Sequence, residues 1–208
     1  IVCVSAPEGN RDAVGEHALG MLLMLMNNLK RSDKEVRNGI WKRAENRGHE
    51  IAGRTIGIIG YGNMGSAFAK KLKGFDCDIL VYDKYKTGIV GEHIKESSLY
   101  EIYEKADVVS NHLPLTQETN YYINDDFISQ FKKNIYVINT ARGKCLNTAD
   151  LVKHLKTGKV IGACLDVLEY ESTSFENIDT TTLPEPMQYI LKAENVILTP
   201  HIAGWNHE

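Results

Sequence analysis

The chain has 208 residues, of which 43% are hydrophobic and 25% are charged, and its formal net charge at pH 7 is −3. This length and composition are typical of a globular protein with a sizeable core, and the slightly acidic balance argues against nucleic acid as the main partner, because phosphate binding usually requires a basic surface. The four cysteines and seven histidines show no metal-ligand spacing, so we predict reduced thiols, a cytoplasmic protein and no metal site.

The first predicted element is a helix over residues 12–30, with Asp12 as its N-terminal cap. The run ALGMLLMLM at 18–26 is apolar on nearly every face, but it is far shorter than the roughly 20 residues that cross a bilayer, so we predict no membrane association. Such a helix has to be covered, either by the domain core or by a second subunit. We predict a homodimer through helix 12–30, and we assign residues 1–50 to a connecting and dimerisation region.

From Thr55 onward the sequence predicts strands that alternate with helices. Short apolar runs predict six strands, at 55–60, 77–83, 107–114, 134–141, 160–167 and 195–201. Helical spacing lies between them, at 63–75, 97–106, 123–132 and 148–158. This alternation predicts an α/β fold over residues 51–208, a Rossmann-type doubly wound parallel sheet with helices on both faces. The acidic, threonine-rich segment 169–190 is predicted to be a long surface loop.

A glycine-rich motif, GYGNMG at 60–65, follows the first predicted strand and opens a predicted helix. In that context Gly60 permits a tight turn, Gly62 lets the backbone approach a pyrophosphate, and Gly65 allows close packing of helix on strand. The first helical turn, with Asn63 and Met64, offers backbone N–H groups and a partial positive charge to the phosphates. We therefore predict a dinucleotide site, against the alternative of a purely structural turn.

An acidic residue that suits such a site, Asp83, ends the next predicted strand 18 residues after Gly65. There its carboxylate would accept hydrogen bonds from the two ribose hydroxyls and repel a 2′-phosphate. We predict NAD as the cofactor in preference to NADP. Lys84 and Lys86 nearby would weaken the exclusion of NADP.

Ionisable side chains follow three later strands: NTARG contains Arg142, CLDVLEYE has Asp166 at the strand end and Glu171 five residues later, and TPHIAG contains His201. Because ligands of a doubly wound sheet bind beyond the carboxyl ends of the strands, we expect these side chains to converge at the cofactor. The fork of an arginine suits a carboxylate, and imidazole suits the removal of a hydroxyl proton near neutral pH. An exposed surface arginine is the alternative for Arg142, although Gly143 after it favours close approach of a ligand.

Several ordered motifs together resemble one family: APEGNRDAVGEHALG, GIIGYGNMG, HLPLTQET, INTARG, LDVLEYE and TPHIAGW. They resemble the nucleotide-binding domain of the D-isomer-specific 2-hydroxyacid dehydrogenases, which include D-3-phosphoglycerate, glycerate and D-lactate dehydrogenases. The resemblance implies that Arg142 binds the substrate carboxylate and carbonyl oxygen, that His201 exchanges a proton with the substrate, and that Glu171 orients the imidazole. It also implies contacts with the cofactor. Thr140 and Ala141 would lie along the nicotinamide and Asp166 near its carboxamide, while Leu113 and Pro114 would lie beside the adenine.

The sequence departs from the family pattern in three places. Ser172 stands where the family usually has proline after the glutamate, and Glu171 and His201 are 30 positions apart, an interval several residues longer than expected. Glu169 therefore competes with Glu171 as the partner of the histidine. Asn147 replaces a common aspartate, which should matter only for helix capping.

The resemblance also implies a second domain. In this family the substrate domain is built from sequence on both sides of the nucleotide-binding domain, so we expect residues 1–208 to be the NAD-binding domain without it and to turn over a 2-hydroxy or 2-oxo acid weakly or not at all. Which acid is the substrate stays open. The alternative function is an NAD-responsive binding protein or corepressor, although such a protein would need only the glycine turn and Asp83. Formate dehydrogenase-like chemistry is less favoured, because that subgroup pairs its histidine with an amide.

Overall fold

The computed structural model describes residues 8–171 and 183–207. The strands are β1 (Thr55–Ile59), β2 (Asp78–Tyr82), β3 (Val90–Gly91), β4 (Ile94–Glu96), β5 (Val108–Asn111), β6 (Ile135–Asn139), β7 (Val160–Leu165) and β8 (Val196–Leu198). The helices are α1 (Arg11–Met26), α2 (Leu29–Arg37), α3 (Asn63–Leu72), α4 (Leu99–Lys105), α5 (Asp125–Ser129), α6 (Thr148–Thr157) and α7 (Glu185–Lys192). None of the helices in these ranges has the length and apolar character that crossing a bilayer requires.

The strands form one sheet in the order β3-β4-β2-β1-β5-β6-β7-β8, which is parallel except for the antiparallel pair β3–β4. The chain runs outward from β1 in both directions, so the order reverses between β1 and β5. Doubly wound sheets bind their ligands at such a reversal, beyond the carboxyl ends of the strands, which here are those of β1 and β5. The predicted α/β fold is confirmed.

Two apolar layers cover the sheet, one on each face. Neighbouring strand residues point to opposite faces, so Ile58 packs with α1 and α3 while Ile59 packs with the layer that contains α4, α5, α6 and α7. Val108 and Val109 alternate in the same way. Because both faces are covered, the central strands are continuous apolar runs that end abruptly in polar residues.

The predicted helix 12–30 is wrong in its bounds. α1 ends at Met26, and Asn28 takes a left-handed conformation with φ of 53° before α2 begins. Asn tolerates this conformation better than most residues, so it breaks the helix between two apolar residues. The N-cap is Asn10, not Asp12, which lies in the first turn. Within this chain the domain core covers only part of the helix, since Met24 is 38% exposed.

Three further elements were not predicted. β3 and β4 form a short edge hairpin, and their side chains are mostly exposed, which leaves no apolar alternation to detect. α7 lies inside the segment 169–190 that was predicted to be a loop, while residues 172–182 of that segment lie outside the described residues. The prediction for α6 is confirmed, with the Asn147 side chain capping its start and Gly158 ending it at a φ of 77°.

Candidate active site

The glycine turn lies between the end of β1 and the start of α3. Gly60 has a φ of 90°, a conformation that side-chain-bearing residues rarely adopt. A Cβ atom on Gly65 would overlap the carbonyl oxygen of Gly60, so the helix can approach the turn only with glycine at this position. A Cβ on Gly62, by contrast, would meet no atom within 4 Å, and this open side is where a ligand could approach the backbone. Asn63 and Met64 form the first turn of α3, as predicted.

Asp83 follows β2 and lies against this turn. Its Oδ2 accepts a hydrogen bond from the backbone N–H of Tyr61 at 2.7 Å, and its Oδ1 accepts from Tyr85 and Lys86 at 2.9 and 3.0 Å. Partial burial works to raise the pKa of Asp83, but these three donors outweigh it and hold the pKa below its ordinary value. Asp83 is therefore a fixed negative charge beside the glycine turn.

A pair of buried amides, which the sequence reasoning missed, joins two loops that were predicted to contact the cofactor. Asn111 and Asn139 are opposite each other on β5 and β6, and Asn111 Nδ2 donates to Asn139 Oδ1 at 3.1 Å. Asn111 Oδ1 accepts from the N–H of Leu113 at 3.2 Å. Asn139 Oδ1 accepts from Ala141, and its Nδ2 donates to the carbonyl of Arg142 at 3.0 Å. The two loops are thus held in one register.

These loops place the remaining predicted cofactor residues beyond the carboxyl ends of β5 and β6. Leu113 lines the turn, because a Cβ on Gly60 would lie 3.3 Å from its Cδ2 atom, and Pro114 after it is exposed. Thr140 is buried, and its hydroxyl finds no hydrogen-bond partner in the described part of the chain. An unsatisfied buried hydroxyl is uncommon, so Thr140 is suited to hydrogen-bond a ligand.

Arg142 follows β6 with an exposed, extended backbone position, and its Nη1 donates to the Ala141 carbonyl at 2.6 Å. Gly143 after it is packed against the chain beyond β7, where an added Cβ would overlap the carbonyl oxygen of Leu168. This close approach joins the loop of Arg142 to the segment that leads to Glu171. Glycine is required here for packing between loops.

Of the two glutamates in that segment, Glu171 contacts the histidine. Its Oε2 is 3.2 Å from Nδ1 of His201, and both side chains are partly buried. Burial raises the pKa of Glu171 above its ordinary value. The nearby His201 lowers this pKa, but its effect is smaller than that of burial. Glu169 is engaged elsewhere, where it accepts hydrogen bonds from the Tyr121 hydroxyl at 2.7 Å and from the Thr148 N–H at 2.9 Å.

Asp166 fixes the loop of His201. Its carboxylate, 1% exposed, accepts hydrogen bonds from the Thr199 hydroxyl and from the N–H groups of Ile202 and Ala203 at 2.6, 2.9 and 2.9 Å. Its carbonyl accepts from the His201 N–H at 2.8 Å. His201 has a φ of 56°, which is unfavourable for a residue with a side chain unless its surroundings hold it there. Contact of Asp166 with a nicotinamide carboxamide stays a prediction.

Comparisons with known proteins agree on one relationship. Residues 19–203 match the model of the D-isomer specific 2-hydroxyacid dehydrogenase, NAD binding domain. A glyoxylate reductase of Thermofilum pendens is 40% identical over 200 residues, which are 93% of this chain and 56% of that protein. A D-3-phosphoglycerate dehydrogenase of Archaeoglobus fulgidus is 34% identical over 210 residues, covering 100% of this chain and 38% of the relative.

Solved structures give the same result. The D-lactate dehydrogenase of Aquifex aeolicus, crystallised with NAD and lactic acid, superposes with a TM-score of 0.85 at 33% identity, over 97% of this chain and 62% of that one. The chain thus spans between about a third and two thirds of these relatives.

Among the described residues, no group of three or more His, Cys, Asp or Glu side chains could hold a metal ion.

Proposed function

The chain belongs to the D-isomer-specific 2-hydroxyacid dehydrogenases as an NAD-binding domain, and from this we propose that the protein transfers hydride between the nicotinamide of NAD and C2 of a 2-hydroxy or 2-oxo acid. The observation that carries this proposal is the pair of His201 and Glu171, 3.2 Å apart on the sheet edge that also carries the glycine turn. A protein that only senses NAD would not need this pair.

NAD supplies the hydride chemistry, and the protein residues bind and orient the reactants. In the proposed site the Nδ1–H of His201 donates to Glu171, so Nε2 is the nitrogen that exchanges a proton with the substrate oxygen. When the imidazole is protonated, the adjacent carboxylate stabilises its charge and keeps its orientation. Arg142 binds the substrate carboxylate and stabilises charge that develops on the carbonyl oxygen.

The cofactor residues are proposed on the same basis. Asp83 binds the ribose hydroxyls and favours NAD over NADP, since its fixed negative charge would repel a 2′-phosphate. Lys84 forms an ion pair with Glu118 at 2.6 Å, and Lys86 donates to the carbonyl of Tyr61, so both ammonium groups already have protein partners. These contacts support a preference for NAD.

The nicotinamide end is assigned to Thr140, Ala141 and Asp166, and the adenine end to Leu113 and Pro114. The unsatisfied hydroxyl of Thr140 supports the first assignment. The position of Leu113 against Gly60 supports the second. The substrate is a small 2-hydroxy or 2-oxo acid, and we propose that the domain that reads its side chain lies outside residues 1–208, because the chain spans only part of its relatives.

We propose a homodimer through α1 and α2, in place of a single helix 12–30. The large apolar side chains that α1, α2 and the residues just after α2 expose are Met24, Leu29, Val36, Ile40 and Trp41. Trp41 is 76% exposed, which is unfavourable in water without a covering partner. Light scattering should show a dimer at micromolar concentration, and a monomer would contradict the proposal.

The buried free thiols of Cys77, Cys145 and Cys164 support the proposed cytoplasmic location.

The direct test of the activity is a panel of 2-oxo acids with the intact protein, followed by NADH absorbance. His201→Ala should lower kcat by about 10²- to 10⁴-fold, the usual contribution of a general acid–base group, and leave NADH affinity within about threefold. His49→Ala, at an exposed histidine, is the matched control. Full turnover by His201→Ala with a reactive acid would refute the acid–base assignment, and an NAD-binding protein without turnover of any acid would favour the binding-protein alternative.

A further inference from the structure

His17 of α1 lies next to the loop that contains His201, although it is far away in the sequence. Its Nε2 is 3.0 Å from the Thr199 hydroxyl oxygen and 3.4 Å from Oδ1 of Asp166. The Thr199 hydroxyl is in turn 2.6 Å from the same carboxylate oxygen. The imidazole side chain is 21% exposed, so water reaches it only in part.

The direction of these hydrogen bonds follows from the charge of Asp166. Burial works to raise its pKa, but His17, Thr199 and the N–H groups of Ala203 and Ile202 lower it below its ordinary value, so the group is a carboxylate that can only accept. The single proton of the Thr199 hydroxyl therefore goes to Asp166. The hydroxyl oxygen is left as an acceptor, and Nε2 of His17 must carry the proton it receives. The hydrogen bonds run from His17 through Thr199 to Asp166.

Other residues at the same side of α1 contact this loop. The N-cap residue Asn10 packs against Gly204, where an added Cβ would overlap the Asn10 amide nitrogen. The sulfur of Met21 is 3.7 Å from the Thr199 hydroxyl oxygen. α1 therefore contacts the loop from Thr199 to Gly204 along about three helical turns, and His17 provides its polar contact with the Asp166 carboxylate.

We propose that His17 is a positioning residue for His201, which acts by donating a hydrogen bond through Thr199 to the carboxylate that holds the His201 loop. The inference rests on the proposed acid–base function of His201. Asp166 binds the N–H groups of Ile202 and Ala203, the two residues after His201, so any rotation of this carboxylate moves the imidazole. Because a misplacement of about 1 Å can lower a rate by about 100-fold, a residue that fixes this carboxylate affects turnover without touching the substrate.

The test compares His17→Leu with His17→Gln in the intact protein. Leucine removes the donor, whereas the glutamine amide nitrogen can occupy the place of Nε2 and donate to Thr199. His17→Leu should lower kcat for a 2-oxo acid at least tenfold with KM and NADH affinity within about threefold, while His17→Gln stays within threefold of the parent. Amide hydrogen exchange at Ile202 and Ala203 should become at least tenfold faster in the leucine variant only.

A second pair, Thr199→Val and Thr199→Ser, breaks and keeps the same hydrogen bonds without changing α1, and it decides the matter if His17→Leu does not fold. His49→Leu is the control for loss of a histidine. Parental turnover in His17→Leu, equal losses in the leucine and glutamine variants, or slow turnover without faster amide exchange would each overturn the proposal. A parent protein without turnover would instead refute the proposed function, and amide exchange would still show whether His17 holds the loop.

Discussion

The buried imidazole of His112 predicts a loss of stability on mild acidification. His112 follows β5, and its ring lies against Phe68, with a centroid distance of 5.6 Å. Nε2 is 2.8 Å from the Ser110 hydroxyl, while Nδ1 has no hydrogen-bond partner in the ranges that the structure describes. Burial lowers the pKa of His112 to about 4, because a charged ring here would have neither water nor an anion.

Whether acidification raises or lowers the free energy of unfolding depends on which state, native or unfolded, binds the proton first. An unfolded histidine has a pKa of about 6.5, so on acidification the unfolded chain is protonated before the native one. Stability is complete above about pH 6.5 and is lost progressively as the pH falls toward about 4. With these two values the free energy of unfolding should fall by about 2 kcal/mol between pH 7.5 and pH 5 through His112 alone.

The assay is equilibrium urea unfolding of the parent and of His112→Gln at both pH values. Glutamine keeps a group that can hydrogen-bond Ser110 but cannot titrate in this range. The drop in unfolding free energy from pH 7.5 to pH 5 should be about 2 kcal/mol smaller in the variant, whatever its stability at pH 7.5, since all other titrating groups are common to both proteins. Equal drops in the two proteins would refute the assignment of a buried neutral imidazole. The control variant His49→Gln, at an exposed site, should show the same drop in unfolding free energy as the parent.

Three substitutions test the cofactor site. Gly65→Ala should weaken NADH binding at least tenfold in a fluorescence titration, because the added Cβ overlaps the Gly60 carbonyl, whereas Gly20→Ala, which meets no atom within 4 Å, should not; equal affinities would contradict the role of the turn. Asn111→Leu should lower the free energy of unfolding by about 1–3 kcal/mol, because it removes the buried hydrogen bond to Asn139 Oδ1 and the acceptor of the Leu113 N–H, and an unchanged urea midpoint would show that the amide pair is unimportant. Asp83→Asn should reduce the ratio of kcat/KM for NADH over NADPH at least tenfold, and an unchanged ratio would place the cofactor selection elsewhere.

The central strands could be predicted because both faces of the sheet are buried. Each strand is then a continuous apolar run that ends where the covering layers end, and the polar residue at that point marks the ligand edge. The same logic fails for β3 and β4, whose exposed side chains carry no pattern. It also fails for α7, where Pro184 and Pro186 resemble loop signals although proline is compatible with the first turn of a helix.

The sequence predicts which residues form the proposed site, but it does not predict most of the contacts that these residues make. Motif order places Arg142, Glu171 and His201 after three successive strands without any knowledge of three-dimensional distance. The choice between Glu169 and Glu171, however, depends on where the chain turns after β7. In the structure the hydroxyl of Tyr121, 48 positions away in the sequence, donates a hydrogen bond to Glu169, and Glu171 is the glutamate that contacts His201. Contacts of this range depend on the packing of loops, and no local pattern encodes them.

At four strand ends the loops of the proposed cofactor site are held by the same kind of hydrogen bond. Beyond the last paired residue of a strand, backbone N–H groups lose their partners in the sheet, and a short Asx side chain can replace them. Asp83, Asn111, Asn139 and Asp166 occupy this place after or at the end of β2, β5, β6 and β7, and each accepts at least one N–H from a loop residue of the site.

This arrangement couples the loops to one another. Asp83 holds the turn after the neighbouring β1, Asn111 holds Asn139, and Asp166 holds the loop after the neighbouring β8. Each loop is therefore fixed partly by a side chain from another strand. Effects of substitutions at Asn111 and Asn139 should accordingly not add, because either change alone breaks the shared hydrogen bond and the second finds it already lost. A double variant whose loss of stability equals the sum of the single losses would show that the loops are held independently.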